Sequence, residues 1–292
     1  MGDTKRRFGD RKDGRRIRTL DPYNTLTPFI MKTRNDSSNY LSERIEITET
    51  DRFLREKRIA GYQGMGMLHL FIAAYIRTVS QYPGINRFIS GQRIFARNNV
   101  EFVMTVKKAL SVKSGETSIK VAFSPAATID DVYKKLELEI QKVKEDAETS
   151  GTDKAAGAFM KLPRLILMGA IRVLEIMDYF GLLPKSLVAV SPFHGTIVVT
   201  DLGSIGLPAL HHHLYNFGNV PVFVAFGAKY KRWETNSKGT VDENKYIDYN
   251  IVLDERICDG FYFSQAHKLL KSVLKNPRVL EMPPENVVED VK

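Results

Sequence analysis

Residues 252–277 read VLDERICDGFYFSQAHKLLKSVLKNP, and the order of features along them sets the expected fold. An apolar run leads into Asp254, Glu255 and Arg256; Asp259-Gly260 then opens a helix expected from about residue 260 to 275, and Asn276-Pro277 closes it. On an extended chain neighbouring side chains alternate faces, so Glu255 points away from Asp254 and Arg256. Those two charges can pair with each other, which leaves the Glu255 carboxylate without a sequence-adjacent cation. A strand end followed by a turn and a helix is a common place for side chains that carry chemistry.

Upstream, the pattern past residue 190 is β-rich: GTIVVTDLG (195–203), PVFVAFGAKYKRW (221–233), a turn at NSKGT (236–240) and KYIDYNIVLDE (245–255). In the first half, RIEITE (44–49) alternates as a strand, and Thr48 or Thr50 is expected to cap a helix starting near Asp51. MGMLHLFIAAYIRTVSQYPG (65–84) is apolar on most sides and predicts a buried helix. Strands are expected near 85–97, 100–110 and 117–124, then a surface helix opening at Thr128. The fold class is α/β, with a mixed, largely antiparallel sheet flanked by helices.

The chain has 292 residues, 43% of them hydrophobic, enough for a full core. A formal charge of +9 would suggest nucleic acid or anionic lipid, but the excess is uneven: residues 1–18 hold eight Lys or Arg against three Asp. Residues 1–14 are expected to form a mobile basic arm, and 15–292 a single domain. No aromatic-plus-basic motif points to nucleic acid. The single cysteine, Cys258, excludes an intramolecular disulfide and fits a reducing cytoplasm. No apolar run reaches the roughly 18 residues of a membrane span.

The turn at 254–260 is similar to the signature of the 2-oxoacid dehydrogenase acyltransferase family, Asp-His-Arg-x-x-Asp-Gly before a helix ending in Asn-Pro. Asp254, Arg256, Asp259, Gly260, Asn276 and Pro277 match, and Glu255 stands where that family has histidine. The stretch 195–206 resembles the family's Thr-x-x-x-Ser-Asn-x-Gly strand, with Thr200 at the serine and Asp201 at the asparagine. The resemblance implies a chloramphenicol acetyltransferase-like fold and a homotrimer with each active site between subunits. It implies coenzyme A or acyl-coenzyme A as substrate and an acceptor the sequence does not identify; the residues themselves point to no metal and no lipoyl group on this chain. By the same resemblance Thr200 would steady the tetrahedral oxyanion, Glu255 would replace the base, and Asp259 and Gly260 would keep the turn; Glu255, Thr200 and Asp259 are the candidate catalytic residues, and His212, Arg256 and Gly260 the candidate binding residues. A carboxylate of ordinary pKa, about 4.3, takes a proton from an ordinary thiol, about 8.5, at a cost of roughly 6 kcal/mol, so a glutamate base needs a dry site. Two readings stand: an altered but working acyltransferase, or a retained trimeric fold that binds without that chemistry.

Other residues of the chain are candidates to substitute for the histidine. His194 shares the side-chain parity of Thr200, but six strand residues at about 3.3 Å each place it roughly 20 Å away. His211-His212-His213 lie in the loop after the Thr200 strand; they read as interface histidines, with His212 as the substrate-side choice, and no Cys or Asp at ligand spacing supports a metal. Cys258 reads as inert core. Lys154 in TDKAAG copies the three-residue lipoylation motif, but its helical context makes the match chance.

Residues 158–192, AFMKLPRLILMGAIRVLEIMDYFGLLPKSLVAVSP, belong to a helical insert at about 150–190 that the family does not explain. They predict two short helices with a large apolar face, which either pack on the trimer, cover an acyl pocket or lie on a membrane as a peripheral contact.

Overall fold

The computed structural model describes residues 7–107, 116–145, 157 and 159–292. The main sheet has seven strands. The longest, β10 (Val241–Asp254), pairs antiparallel along its whole upper length with β2 (Ser38–Glu46). On its other edge it pairs with β8 (Val222–Phe226) near its end and with β9 (Tyr230–Thr235) near its start. Beyond β8 come β7 (Ile197–Asp201) and β5 (Val100–Lys107), joined in parallel, and then antiparallel β6 (Glu116–Phe123). A second sheet of three strands is formed by β1 (Gly14–Arg16), β4 (Arg93–Arg97) and β3 (Arg87–Ser90).

Period-two alternation divides the main sheet cleanly. Ile197, Val199, Val222, Val224, Ile251 and Leu253 face the larger core. That core is closed by the buried helix α3 (Met67–Gln81) and the C-terminal α7 (Gly260–Lys275), with α1 (Pro22–Ile30), α2 (Thr48–Ile59) and α4 (Ile129–Glu145) completing the N-terminal half. Val103, Val198, Phe223 and Val252 face the other way and pack with Leu214 and Val220 from the loop before β8. The mixed sheet flanked by helices is the architecture expected.

Several local expectations differ. The strand expected at 44–49 runs from 38 to 46, and α2 begins at Thr48 without a side-chain cap. Thr48 Oγ1 instead accepts from the Lys245 amide (3.1 Å), and Thr50 Oγ1 donates to the Leu274 carbonyl (2.5 Å). Both hydroxyls serve tertiary partners that local sequence does not reveal. Residues 7–14 are not a free arm: Arg11 is buried, with its guanidinium on Asp13 (2.8 Å) and Asp178 (2.7 Å), and Gly14 pairs with Arg97 in the small sheet. Residues 1–6, Lys154 and the start of the insert lie outside the described residues. The rest of the insert forms α5 (Arg164–Tyr179) and α6 (Lys185–Val190).

The insert is fastened at one end. Asp178, near the C-terminus of α5, is buried between Arg11 and His194, whose Nε2 lies 3.4 Å from Asp178 Oδ1. Burial pushes the Asp178 carboxyl up, but the His194 hydrogen bond and the Arg11 charge outweigh it and hold the group below the usual range. The adjoining hairpin turn, Gly91-Gln92, has φ of 56° and 58° at its two residues, as a two-residue hairpin loop of the right twist requires. Its backbone lies so close to α5 that a Cβ on Gly91 would fall 2.3 Å from the Tyr179 carbonyl oxygen.

Candidate active site

The turn after β10 is built by its own charges. Arg256 reaches back to Asp254 with Nε on Oδ1 (2.8 Å) and Nη2 on Oδ2 (2.7 Å), and its Nη1 donates to the Met31 carbonyl (2.8 Å). Asp254 is fully buried and Arg256 almost so. This is the pairing that alternation predicts, although Glu255 and Arg256 lie in a turn rather than on the strand. Asp259 caps α7, accepting from the Tyr262 amide at 2.8 Å, and Gly260 is the exposed first residue of the helix. Asp259 therefore shapes the turn. Cys258 is buried, and that burial pushes its thiol up to about 12.

Glu255 is half-buried, its amide bonds to the Ser37 carbonyl (2.9 Å), and its Oε2 accepts from Asn39 Nδ2 (2.9 Å). Among the described residues no ion pair reaches it. The β2 end thus supplies Glu255 with a hydrogen-bond donor, and solvent reaches the group.

Thr200 lies near the end of β7, half-buried, on the face that carries Val198 and Phe223. The register separates it from Glu255. Thr200 is opposite Ala225 of β8, whereas Leu253 is opposite Val222, so Glu255 falls five residue steps further along and two strands across. At about 3.3 Å per residue and 4.8 Å per strand, the two are roughly 19 Å apart. One chain thus holds the two side chains at opposite ends of its sheet.

His212 falls on the Thr200 side. Its ring stacks on Phe223 at 4.2 Å with 9° between planes, and Phe223 is two residues before Ala225 on the same face. Its Nε2 is buried, with no hydrogen-bond partner among the described residues. Burial, with a smaller push from His213, lowers its pKa and keeps the imidazole neutral near pH 7. The flanking histidines go elsewhere: His211 to Tyr40 and Ser42, His213 to Tyr215. His194 is not on the Thr200 strand; it precedes the strand, which starts only at Ile197, and it holds Ser191 and Asp178. Asp201, next to Thr200, is pushed up by burial despite accepting from the Ser204 and Gly203 amides. Among the described residues no group of three or more His, Cys, Asp or Glu side chains could hold a metal ion.

A cavity of about 470 Å³ opens between the turn and the insert, lined by Lys32, Arg34 and Arg256 on one wall and by Arg172, Ile176 and Phe180 on the other. Sequence reasoning did not single out Arg34, which is buried and donates to the carbonyls of Tyr215, Asn216 and Gly218. Burial lowers it to about 10, with Asp254 pulling the other way. Neither Glu255 nor Thr200 lines this cavity.

No family model matches the chain, and no curated sequence does. Among solved structures it is similar to a probable dihydrolipoamide acetyltransferase from Listeria monocytogenes (TM-score 0.57, 13% identity, 89% of this chain and 95% of that one). It is also similar to the cubic core of the pyruvate dehydrogenase multienzyme complex (0.52, 14%, 88% of each) and to a chloramphenicol acetyltransferase (0.53, 13%, 89% and 100%). At such identities the likeness is one of fold, and on that ground this chain carries the chloramphenicol acetyltransferase-like acyltransferase fold.

Proposed function

We propose that the protein is a coenzyme A-dependent acyltransferase whose site is completed by a second copy, within a homotrimer. Glu255 of one copy takes the base position that the resembled family gives to histidine. Thr200 of the next copy steadies the oxyanion, with neutral His212 on the same side of the site contacting substrate. The observation that carries this reading is the separation of Glu255 and Thr200 to opposite ends of one sheet, while each stays half-open and, among the described residues, no ion pair reaches Glu255. The likeness to a subunit of a multienzyme core supports assembly from several copies. A neighbour covering Glu255 would exclude water and narrow the proton-transfer gap between carboxylate and thiol. Coenzyme A would be held as substrate, in the groove between copies.

Acetyl-coenzyme A is expected to raise the melting temperature, because a ligand that binds only the folded state stabilises it. Glu255→Gln is expected to keep that rise and lose most transfer to a thiol such as dihydrolipoamide, roughly 100-fold or more for removal of a general base. No thermal response to coenzyme A or acetyl-coenzyme A would contradict the reading. A second reading has one observation in its favour: Glu255 is solvated and accepts from Asn39 in a single chain, as suits a site that binds without turnover. That reading expects the thermal response, but equal turnover in the wild type and Glu255→Gln.

A further inference from the structure

Helix α5 is apolar on both sides. Leu167, Ala170, Leu174 and Met177 along one side are half-buried, but the apolar residues on its other sides are exposed from Met160 through Ile176. Met160 is 74% exposed, Leu165 81%, and Ile166 and Met168 58% each. At 100° per residue, the exposed apolar positions 165, 166, 168, 171, 173 and 176 span about 220° of the helix, more than twice the stripe a surface helix usually buries. The other end of the helix is fastened by Asp178 to Arg11 and by the Tyr179 hydroxyl to Gln92 (2.7 Å). The result is a projecting apolar tip on a fixed base.

Among the described residues the net charge near that tip is positive. Lys161, Arg164, Arg172 and Lys185 are all exposed; Glu175 is paired with Arg172 (2.8 Å), and Asp178 is buried and neutralised. We propose that the tip of α5, residues 160–168, inserts into the surface of an anionic lipid bilayer, with Arg172 at the phosphate level. Arg172 stands seven residues beyond Leu165, a rise of about 10 Å, close to the depth an interfacial apolar element reaches. Lys161 and Arg164 have stems long enough to bring their charges back to the headgroups. A groove on a second copy would have to enclose more than half of the helix and bury Arg172 within it, whereas a bilayer accepts both the breadth and the charge. No described helix is long and apolar enough to cross a membrane, so the contact is peripheral. This inference does not depend on acyl transfer.

Co-sedimentation with phosphatidylcholine vesicles, with and without phosphatidylglycerol, tests it on the full chain. The protein is expected to pellet with the anionic vesicles only, less so in high salt, and Arg164→Ala to weaken binding roughly fivefold, the effect of one charge near the surface. Leu165→Glu with Met168→Glu is expected to stay in the supernatant at an unchanged melting temperature. Wild-type protein left in the supernatant, or equal binding by the double variant, overturns the proposal. So does a change of mass by light scattering in that variant without vesicle binding by the wild type, which would assign the tip to a second copy. Should the double variant unfold, a bimane label on Ile166→Cys reads the same contact, since buried Cys258 stays unlabelled; a blue shift on anionic vesicles is expected, and unchanged emission overturns the proposal.

Discussion

Asp254 and Arg256 form a closed two-point pair, 0% and 3% side-chain exposed, inside the turn that presents Glu255. Removing one partner would leave the other charged and buried. Arg256→Ala is therefore expected to cost about 3 to 5 kcal/mol in urea unfolding, far more than a surface charge change. Truncation of exposed Asp259 removes only the α7 cap, and Asp259→Ala is expected to cost about 1 kcal/mol. Alternation along residues 252–256 was enough to foresee the Asp254–Arg256 pair, because both members lie within three residues. It could not foresee Asn39, whose contact with Glu255 spans 216 residues of sequence. His194 was misplaced for a related reason. The residues that follow it are held by distant partners: a Cβ on Gly195 would meet Val103 Cγ2 at 3.0 Å, and Thr196 Oγ1 accepts from the Glu101 amide and donates to Asn86.

Among the elements, the strands and the buried helix α3 were legible because their apolar periods are long and unbroken, and α7 because Asp259 and Asn276 mark its ends. The seating of the insert was not. It depends on Arg11 from a segment that composition marks as a solvated arm, 167 residues from its partner Asp178. Burial of a guanidinium is set by what packs around it, and the local run of basic residues carries no sign of that. The close approach of α5 to the Gly91-Gln92 turn gives a test. Gly91→Ala adds a Cβ at positive φ against the Tyr179 carbonyl, so it is expected to destabilise by about 1 to 3 kcal/mol. Faster hydrogen exchange around residues 172–182 would locate the damage at the insert, whereas exchange unchanged there would contradict the seating described.

At the scale of the molecule, α2 is tied to the main sheet by Asp51, which accepts from Lys229 and Lys245 at 2.6 Å each. Burial pushes Asp51 up, but the two lysine hydrogen bonds and charges outweigh it and hold the carboxyl at about 2. A carboxyl with a folded pKa below its unfolded one stabilises above the unfolded value, and that stability is lost as pH falls through the folded value. Melting temperature is thus expected to drop between about pH 4 and pH 2, with Asp51 contributing on the order of 1 kcal/mol of the loss because solvent screens its partly exposed lysines. Asp51→Asn is expected to flatten that part of the curve, and an unaltered curve would show that the tie does not act in solution.

Subunit mixing tests whether Glu255 of one copy and Thr200 of another make one site. Glu255→Gln and Thr200→Ala are each expected to lose most transfer from acetyl-coenzyme A to dihydrolipoamide. Co-refolded in equal amounts, they should regain about a quarter of wild-type turnover, since in a cyclic oligomer that fraction of interfaces joins an intact Glu255 to an intact Thr200. Turnover of the mixture no greater than that of the separate variants, with mixed oligomers confirmed by mass, would contradict the shared site.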